Sequence, residues 1–386
     1  RSANWHKEWK VHDPPPQLQW RQQVDIPFDG ILDNVEEFKS MGKTFKVGTA
    51  VGSDWMHPRH FSMLSDQSIF TFLIFARAFV LHGVSFDDIC TLFITLIPKR
   101  ESGERPIGIF PSFIRNISRH IRYTYSNMWL KLNHRDFLFG RKGKSALQCV
   151  WIQAFWAEHA SYTRQHAISS LFDLMKAFDR VDHQYIINCA CIYGFNLNIL
   201  RWLISMYTTT RIIIVDGVAT QAVKATRSIV PGDSNADVIM TLVLLQTLDS
   251  IVIRFSKSEY NYHIAVLADD IQFMVIDPIL SQAVKIMDDI SKHATFMLEE
   301  HCHMTVSTPK LVVVGNSKRI TSSFAARNVR FRKAATRSTR NLGVDFHCGL
   351  SSRTRKVQRS RIRTVISKAG KLRSIKKTGA KFIHVV

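Results

Sequence analysis

The chain has 386 residues, 46% of them hydrophobic, with 52 Lys+Arg against 31 Asp+Glu and a formal net charge of +21. That size and apolar content support a buried core divided over two or three subdomains and exclude a disordered chain, while the charge favours a polyanionic partner, nucleic acid ahead of an anionic membrane. The runs "SIFTFLIFARAFVL", broken by Arg77, and "VIMTLVLLQTLDSIVI", broken by Gln246 and Asp249, fall short of the ~20 uninterrupted apolar residues of a bilayer span, so no membrane partner is expected.

In chain order, residues 1–45 with "HDPPPQLQW" read as an irregular lead-in, and a start at Arg1 suggests a piece of a longer polypeptide whose targeting cannot be read. Helical spacing begins near Ser65 and ends at Gly83. "CTLFITLIPKRESGERPIGIF" predicts strand, tight turn at Ser102-Gly103 and strand, with Lys99, Arg100 and Arg105 near the tip. Residues 112–163 are mostly helical, and "AISSLFDLMKAF" is a strand running into a helix. Asp182 caps a helix ending at Gly194, Asn196 caps another to about Tyr207, and "RIIIVDGVATQAV" is a strand pair turning on Asp-Gly.

A Pro-Gly turn at 231–232 leads to a long apolar helix over about 237–255, then a hairpin, then a helix over about 279–293. Short strands are expected at "KLVVVGN", "VRFRK" and "NLGVDF". Residues 351–386 hold 12 Lys+Arg and no Asp or Glu, and Ile362, Val365, Ile366, Ala369 and Leu372 keep a helical spacing, which predicts a basic amphipathic helix. The six cysteines lack C-x-x-C spacing, which argues for reduced thiols rather than a disulfide framework or zinc module, and "HCH" at 301–303 reads as ordinary polar surface.

The hairpin "HIAVLADDIQFMVI" sets Asp269 and Asp270 in an apolar run. Two like charges about 4 Å apart repel by ~4 kcal/mol at an effective dielectric near 20. A divalent cation would offset that, and oxygen-only ligands favour Mg²⁺; a plain polar β-turn is the simpler alternative. A third carboxylate, Asp173 in "SSLFDLMKAFDRVDH", ends another strand. Three such carboxylates can converge to hold two metals ~3.5–4 Å apart, clamping the attacking and leaving oxygens of a phosphoryl transfer.

With these residues the sequence resembles the reverse transcriptases. "FDLMKAFDRVDH" is similar to their motif A and "VLADDIQFMV" to motif C; "LIPKRESGERPIGIFP" resembles the fingers motif, "SIVPGDSNADVIMTLVLL" motif B, "TPKLVVVG" motif D and "RNLGVDF" motif E. The order holds over about residues 45–350, and "GTAVGSDWMHPRHFSMLSD" with "SIVPGDS" is most similar to non-LTR, LINE-like elements of protists such as dinoflagellates.

The resemblance implies an α+β right-hand polymerase. Residues 1–45 would precede it, 46–166 would form the fingers, 167–350 a palm of antiparallel sheet and helices with a fingers segment inserted at about 184–228, and 351–386 the basic start of a thumb lying along a duplex. Asp173 and Asp269 would ligate two Mg²⁺ ions, which Mn²⁺ could replace, with Asp270 beside them. Lys99 and Arg105 would grip the incoming triphosphate. Gly232 would let the backbone approach the template-primer pair, and Lys310 would protonate the pyrophosphate leaving group. Phe178, five residues after Asp173, would be the aromatic gate beneath the sugar, excluding a 2′-OH and favouring DNA synthesis.

The implied activity is RNA-directed DNA synthesis from dNTPs onto a primer 3′-OH, on an RNA template and at a nicked DNA target, with the nucleus as point of action. Motif B departs from the family's usual Pro-Gln-Gly: Pro231 is followed directly by Gly232, and Asp233 and Asp237 add negative charge where nucleic acid should pass. That leaves two alternatives, a decayed or domesticated nucleic-acid-binding relative and a group II intron-type maturase. No endonuclease or zinc knuckle is visible in this chain.

Overall fold

The computed structural model describes residues 2–12, 15–21, 30–83, 90–99, 103–141, 143–256, 261–336, 338–342, 344–349, 355 and 358–367. The expected turn residue Ser102, the cation Arg100, and Ala369 and Leu372 of the basic helix lie outside the described residues.

The elements follow in chain order as α1 (Ser2–Trp9), α2 (Val35–Lys43), α3 (Asp66–His82), β1 (Leu92–Pro98), β2 (Glu104–Ile109), α4 (Ser112–Ile121), α5 (Asn127–Leu132), α6 (Ala146–Tyr162), β3 (His166–Phe172) and α7 (Ala177–Arg180). Then come α8 (His183–Tyr193), α9 (Leu197–Tyr207), β4 (Thr210–Val215), β5 (Val218–Ala219), β6 (Val223–Lys224), α10 (Ala236–Phe255), β7 (Asn261–Leu267) and β8 (Asp270–Asp277). The remainder are α11 (Leu280–Phe296), β9 (Val312–Gly315), α12 (Lys318–Arg327), β10 (Ala335–Thr336), β11 (Ser338–Asn341) and β12 (Val344–His347). This is the mixed helix and sheet, α+β, class expected from the sequence.

The chain divides into two compact units, each assembled from three stretches: Arg1–Asp136, Leu174–Arg254 and His293–Val306 in one, Phe137–Asp173, Phe255–Lys292 and Ser307–Val386 in the other. In the first unit a sheet runs β2-β1-β4-β5, with β6 also on β4. The β1–β2 hairpin closes with Pro98 opposite Glu104, and the Lys99 amide donates to the Gly103 carbonyl at 2.9 Å. Side-chain caps from Ser65, Asp182 and Asn196 open α3, α8 and α9, and left-handed Gly83 and Gly194 end α3 and α8, as the capping residues predict. At the Asp-Gly turn, Asp216 and Gly217 both take positive φ, 51° and 81°, the pattern of a type I′ hairpin.

α10 is long and apolar enough to cross a membrane by length and composition. It is instead the core helix of its unit: Val238, Ile239, Met240, Leu242 to Leu245, Leu248 and Ile251 are fully buried, which explains why its apolar residues cover every face rather than one.

In the second unit the sheet runs β10-β9-β3-β8-β7, with β3 antiparallel to both β8 and β9. β3 and β8 sit inside this sheet, and Ala167, Ile168, Phe172, Ile271, Phe273, Met274, Val275 and Ile276 are all buried, with Ser169 and Ser170 as buried polar positions between them.

Three expectations are corrected. Among the described residues of the first 45 are helices α1 and α2, and Trp9 at the end of α1 is 1% exposed, so the lead-in contains packed helices where only irregular chain was expected. "VRFRK" is not a strand: Val329–Phe331 makes one 3₁₀ turn that sends Phe331 between Phe172 and Phe324, where aromatic packing outweighs the local alternation. In "HCH", His301 and His303 are exposed, but Cys302 is fully buried and shares hydrogen bonds with Thr247 and Tyr185, so the triplet is not merely polar surface. The basic C-terminal stretch is helical over its described residues 358–367, with Ile362, Val365 and Ile366 exposed.

Candidate active site

The second unit gathers four of the expected site residues at one end of its sheet. The β3–β8 ladder pairs Phe172 with Ile271, and the β3–β9 ladder pairs Leu171 with Val312. Asp173 follows directly on β3, next to the start of β8 at Asp270, and its side chain meets that of Lys310 on the other side. Asp270 opens β8, Asp173 follows β3 and Lys310 ends the 3₁₀ turn Thr308–Lys310 ahead of β9, which sets the three as a row at one end of this sheet. Asp269 sits one residue further, in the turn that joins β7 to β8.

That turn is tight, with Leu267 opposite Asp270 and only Ala268 and Asp269 between them. Ala268 takes φ 55°, a left-handed conformation that costs a non-glycine residue ~1–2 kcal/mol. The strain is held from outside the hairpin. The Phe139 amide donates to the Val266 carbonyl at 2.8 Å and the Val266 amide to the Phe137 carbonyl at 2.9 Å, which adds a short parallel segment to the outer edge of β7.

Asp173 is fixed from its other side. Its carbonyl accepts from the Ser307 amide at 2.8 Å, and its carboxylate accepts from the Lys310 ammonium at 2.9 and 3.1 Å. Beneath the row runs a buried polar chain: Gln272 donates to Ser169 at 2.6 Å, and Asn341 donates to Gln272 at 2.8 Å and to Gln153 at 2.6 Å. Burial pushes the Cys149 thiol up to about 12, with the negative charge of Asp270 adding to the effect. The signal for this chain in the sequence was the single amide within "DDIQFMVI", since an apolar strand admits such a group only where it is bonded.

The first unit brings together the other four. Lys99 and Arg105 are exposed on the β1–β2 hairpin, Arg105 opposite Ile97. Three residues along β2, the Gly108 amide donates to the Pro231 carbonyl at 2.7 Å, docking the turn that holds Gly232 onto this hairpin. Gly232 has φ +111°, and a Cβ there would meet the Gly108 carbonyl oxygen at 2.5 Å, so close approach to β2 already demands glycine at this position. Phe178 is half-buried in the single turn α7, and its carbonyl accepts from the Ile229 amide at 2.7 Å, tying it to the same segment.

Asp233 and Asp237, the carboxylates expected to add charge near nucleic acid, are both paired within the first unit. Asp233 is bonded inward to Ser118, to the Tyr207 hydroxyl at 2.8 Å and to the Asn235 amide at 3.1 Å, and burial raises its carboxyl pKa. Asp237 pairs with Arg122 at 2.8 Å. Both are structural partners within their unit, which motif spacing alone could not reveal. Sequence reasoning also missed the cluster around Asp179: this carboxylate is buried and accepts from the Trp9 indole at 2.9 Å, while Arg211, 1% exposed, packs against the Trp9 ring.

Among the described residues no three His, Cys, Asp or Glu side chains form a ready metal cage. The aspartate row nonetheless offers hard oxygen donors of the kind that suit Mg²⁺, which binds through one or two carboxylates and completes its shell with water and substrate phosphates. The donor set fits such an ion.

A family model described as reverse transcriptase (RNA-dependent DNA polymerase) matches residues 97–345. Solved structures similar to the chain include telomerase from Candida tropicalis truncated from the C-terminal domain (12% identity, TM-score 0.46, covering 78% of this chain and 62% of that one). Apo telomerase from Candida tropicalis is similar too (12% identity, TM-score 0.47, 71% and 49%), as is telomerase from Candida albicans in complex with a fragment of telomeric RNA (14% identity, TM-score 0.48, 69% and 45%). The chain thus spans from under half to about three fifths of the length of these structures. No curated protein matches it. With its family model covering well over half of its residues, the chain belongs to the reverse transcriptase family, the RNA-dependent DNA polymerases.

Proposed function

We propose that this chain is the polymerase of a non-LTR, LINE-like retroelement, extending a primer 3′-OH from dNTPs on an RNA template at a nicked DNA target. The observation that carries the reading is Asp173 at the end of β3, bonded to Lys310, with Asp270 at the start of the neighbouring β8 and Asp269 in the adjoining turn. In this reading residues 46–166 supply the fingers and 167–350 the palm, with a fingers segment inserted at about 184–228, while residues 351–386 begin the thumb, whose cations hold phosphates without reading bases.

Asp173 and Asp269 would hold two Mg²⁺ ions, which supply charge stabilisation to the attacking and leaving oxygens when bound. Asp270 supports them from β8. Lys99 and Arg105, exposed on a two-stranded hairpin, bind and orient the triphosphate. Lys310 would pass a proton to departing pyrophosphate, a role worth ~10²–10⁴-fold in rate. Phe178 would lie beneath the sugar, and the adjoining carboxylate Asp179, which could accept a 2′-OH, already accepts from Trp9. That occupancy supports selection of deoxynucleotides.

Primer extension by the purified chain on an RNA template, with dNTPs or rNTPs and Mg²⁺, tests the reading beside an Asp269→Ala, Asp270→Ala variant. DNA product that disappears in the variant is the expected result. Salt-sensitive nucleic-acid binding without any extension would replace it with a binding protein that has lost synthesis.

A further inference from the structure

α7 is four residues long, one turn, too short to hold its own conformation in water. The residue before it, Lys176, takes φ 51°, which an L residue resists. The turn that presents Phe178 is therefore set by its tethers, and those tethers come from α1.

Glu8 accepts from Lys176 at 3.0 Å and from two nitrogens of Arg180 at 2.9 and 3.1 Å, so a single carboxylate grips both ends of the turn. Arg227 lies 3.6 Å from the same carboxylate and donates to the Glu8 carbonyl at 2.6 Å. Trp9 donates its indole proton to Asp179, the residue beside Phe178, and its carbonyl accepts from the Thr226 amide at 2.9 Å. The Lys176 ammonium also lies 4.3 Å over the ring of Trp5, which stacks on Trp9. On the far side Arg211 donates to Ser228 at 2.6 Å, and Ser228 is buried at φ 107° and donates its amide to the Val181 carbonyl. Phe178 is thus held between two clamped segments, and its own carbonyl accepts from the Ile229 amide.

We infer that Glu8 and Trp9 are positioning residues for sugar selection: they fix the Lys176–Arg180 turn so that the Phe178 ring stands at the height that excludes a 2′-OH. The inference rests on the assignment of Phe178 as the residue beneath the sugar. Such a ring discriminates by steric contact, so a shift of a few tenths of an ångström in its backbone admits the hydroxyl. Loss of a tether should then raise ribonucleotide use more than it lowers deoxynucleotide use. A tether that served stability alone would lower both together.

The test measures kcat/KM for a dNTP and its matching rNTP on one RNA template with the full chain and with Trp9→Phe, Glu8→Gln, Phe178→Ala and the Trp9→Phe, Phe178→Ala pair. Trp9→Phe keeps a ring against Arg211 and removes the donor to Asp179, while Glu8→Gln keeps the volume and removes the charge. The expected result is a fall of about tenfold in the dNTP:rNTP ratio for each single tether variant, the size of one lost charge-assisted hydrogen bond, and no further fall when Trp9→Phe is added to Phe178→Ala.

Equal loss on both substrates in both tether variants, or a Trp9→Phe effect undiminished in the Phe178→Ala background, would overturn the inference. An unchanged ratio in Phe178→Ala would instead remove the assignment of Phe178 itself, and the inference with it. Should Trp9→Phe fail to fold, Glu8→Gln decides the matter.

Discussion

The Lys310 ammonium, in the 3₁₀ turn ahead of β9, donates to both oxygens of the Asp173 carboxylate at the end of β3, at 2.9 and 3.1 Å. With side chains 60% and 33% exposed, such a pair contributes only about 0–1 kcal/mol to stability. Lys310→Met should therefore leave the unfolding midpoint nearly unchanged and lower kcat about 10²-fold. It should also reduce the Mg²⁺ concentration needed for half-maximal rate, because it removes a cation competing for the same oxygens. A metal titration of single-nucleotide incorporation checks both effects, and an unchanged kcat would dismiss the proton-donor role.

Lys99 and Arg105 stand on a hairpin closed by the Lys99 amide and the Gly103 carbonyl. Replacing either with Ala should raise the KM for dNTP about tenfold, the effect of one lost charge-assisted hydrogen bond to phosphate. Binding of the template-primer duplex should stay constant. Steady-state kinetics with a separate duplex-binding measurement distinguishes this from a general loss of nucleic-acid contact.

Acid sensitivity should come from buried histidines. Burial pushes His120, His183 and His263 each down to about 4 from 6.5. Between these values the native histidines stay neutral while the unfolded chain takes up protons, so their contribution is complete above about pH 6.5 and is lost as pH falls towards 4. Urea midpoints should decline steeply across that window. His183→Gln, which can still donate to the Ser228 carbonyl, should flatten part of the slope; an unaltered slope would assign it to other groups.

Asp288 is fully buried and holds Lys292 and Arg327 at 2.8 Å and Asn328 at 3.0 Å. Its two cations are 62% and 48% exposed, so losing it strands no buried charge, and the cost of about 1–3 kcal/mol comes chiefly from the buried Asn328 amide left without its acceptor. Asp288→Ala should lower stability by that amount in chemical denaturation, and Lys292→Ala, which deletes a largely exposed partner, by under about 1 kcal/mol.

The legible parts of the sequence were those where one residue does a local job. Ser65, Asp182 and Asn196 cap helices because a side-chain oxygen can satisfy amides two or three residues away, and Asp216-Gly217 turns a hairpin because both positions take positive φ. The Asp269-Asp270 turn was legible for the same reason. What escaped were long-range partners: Trp9 meets Asp179 across 170 positions, and Asp233 is used by Ser118 and Tyr207. Phe331 was misread because its strand-like neighbours carry no record of the aromatic cage formed by Phe172 and Phe324.

The central place of β3 has a consequence for the order in which the protein can form. Its neighbours β8 and β9 lie about 100 and about 140 residues downstream, so at ribosomal speeds of ~5–20 residues per second β3 waits several seconds or longer with both edges bare. Its apolar "AISSLF" is then a sticky template for other chains. Nascent chains should need a chaperone at this stage, and fragments ending before about residue 315 should stay insoluble whatever the state of the helices already made.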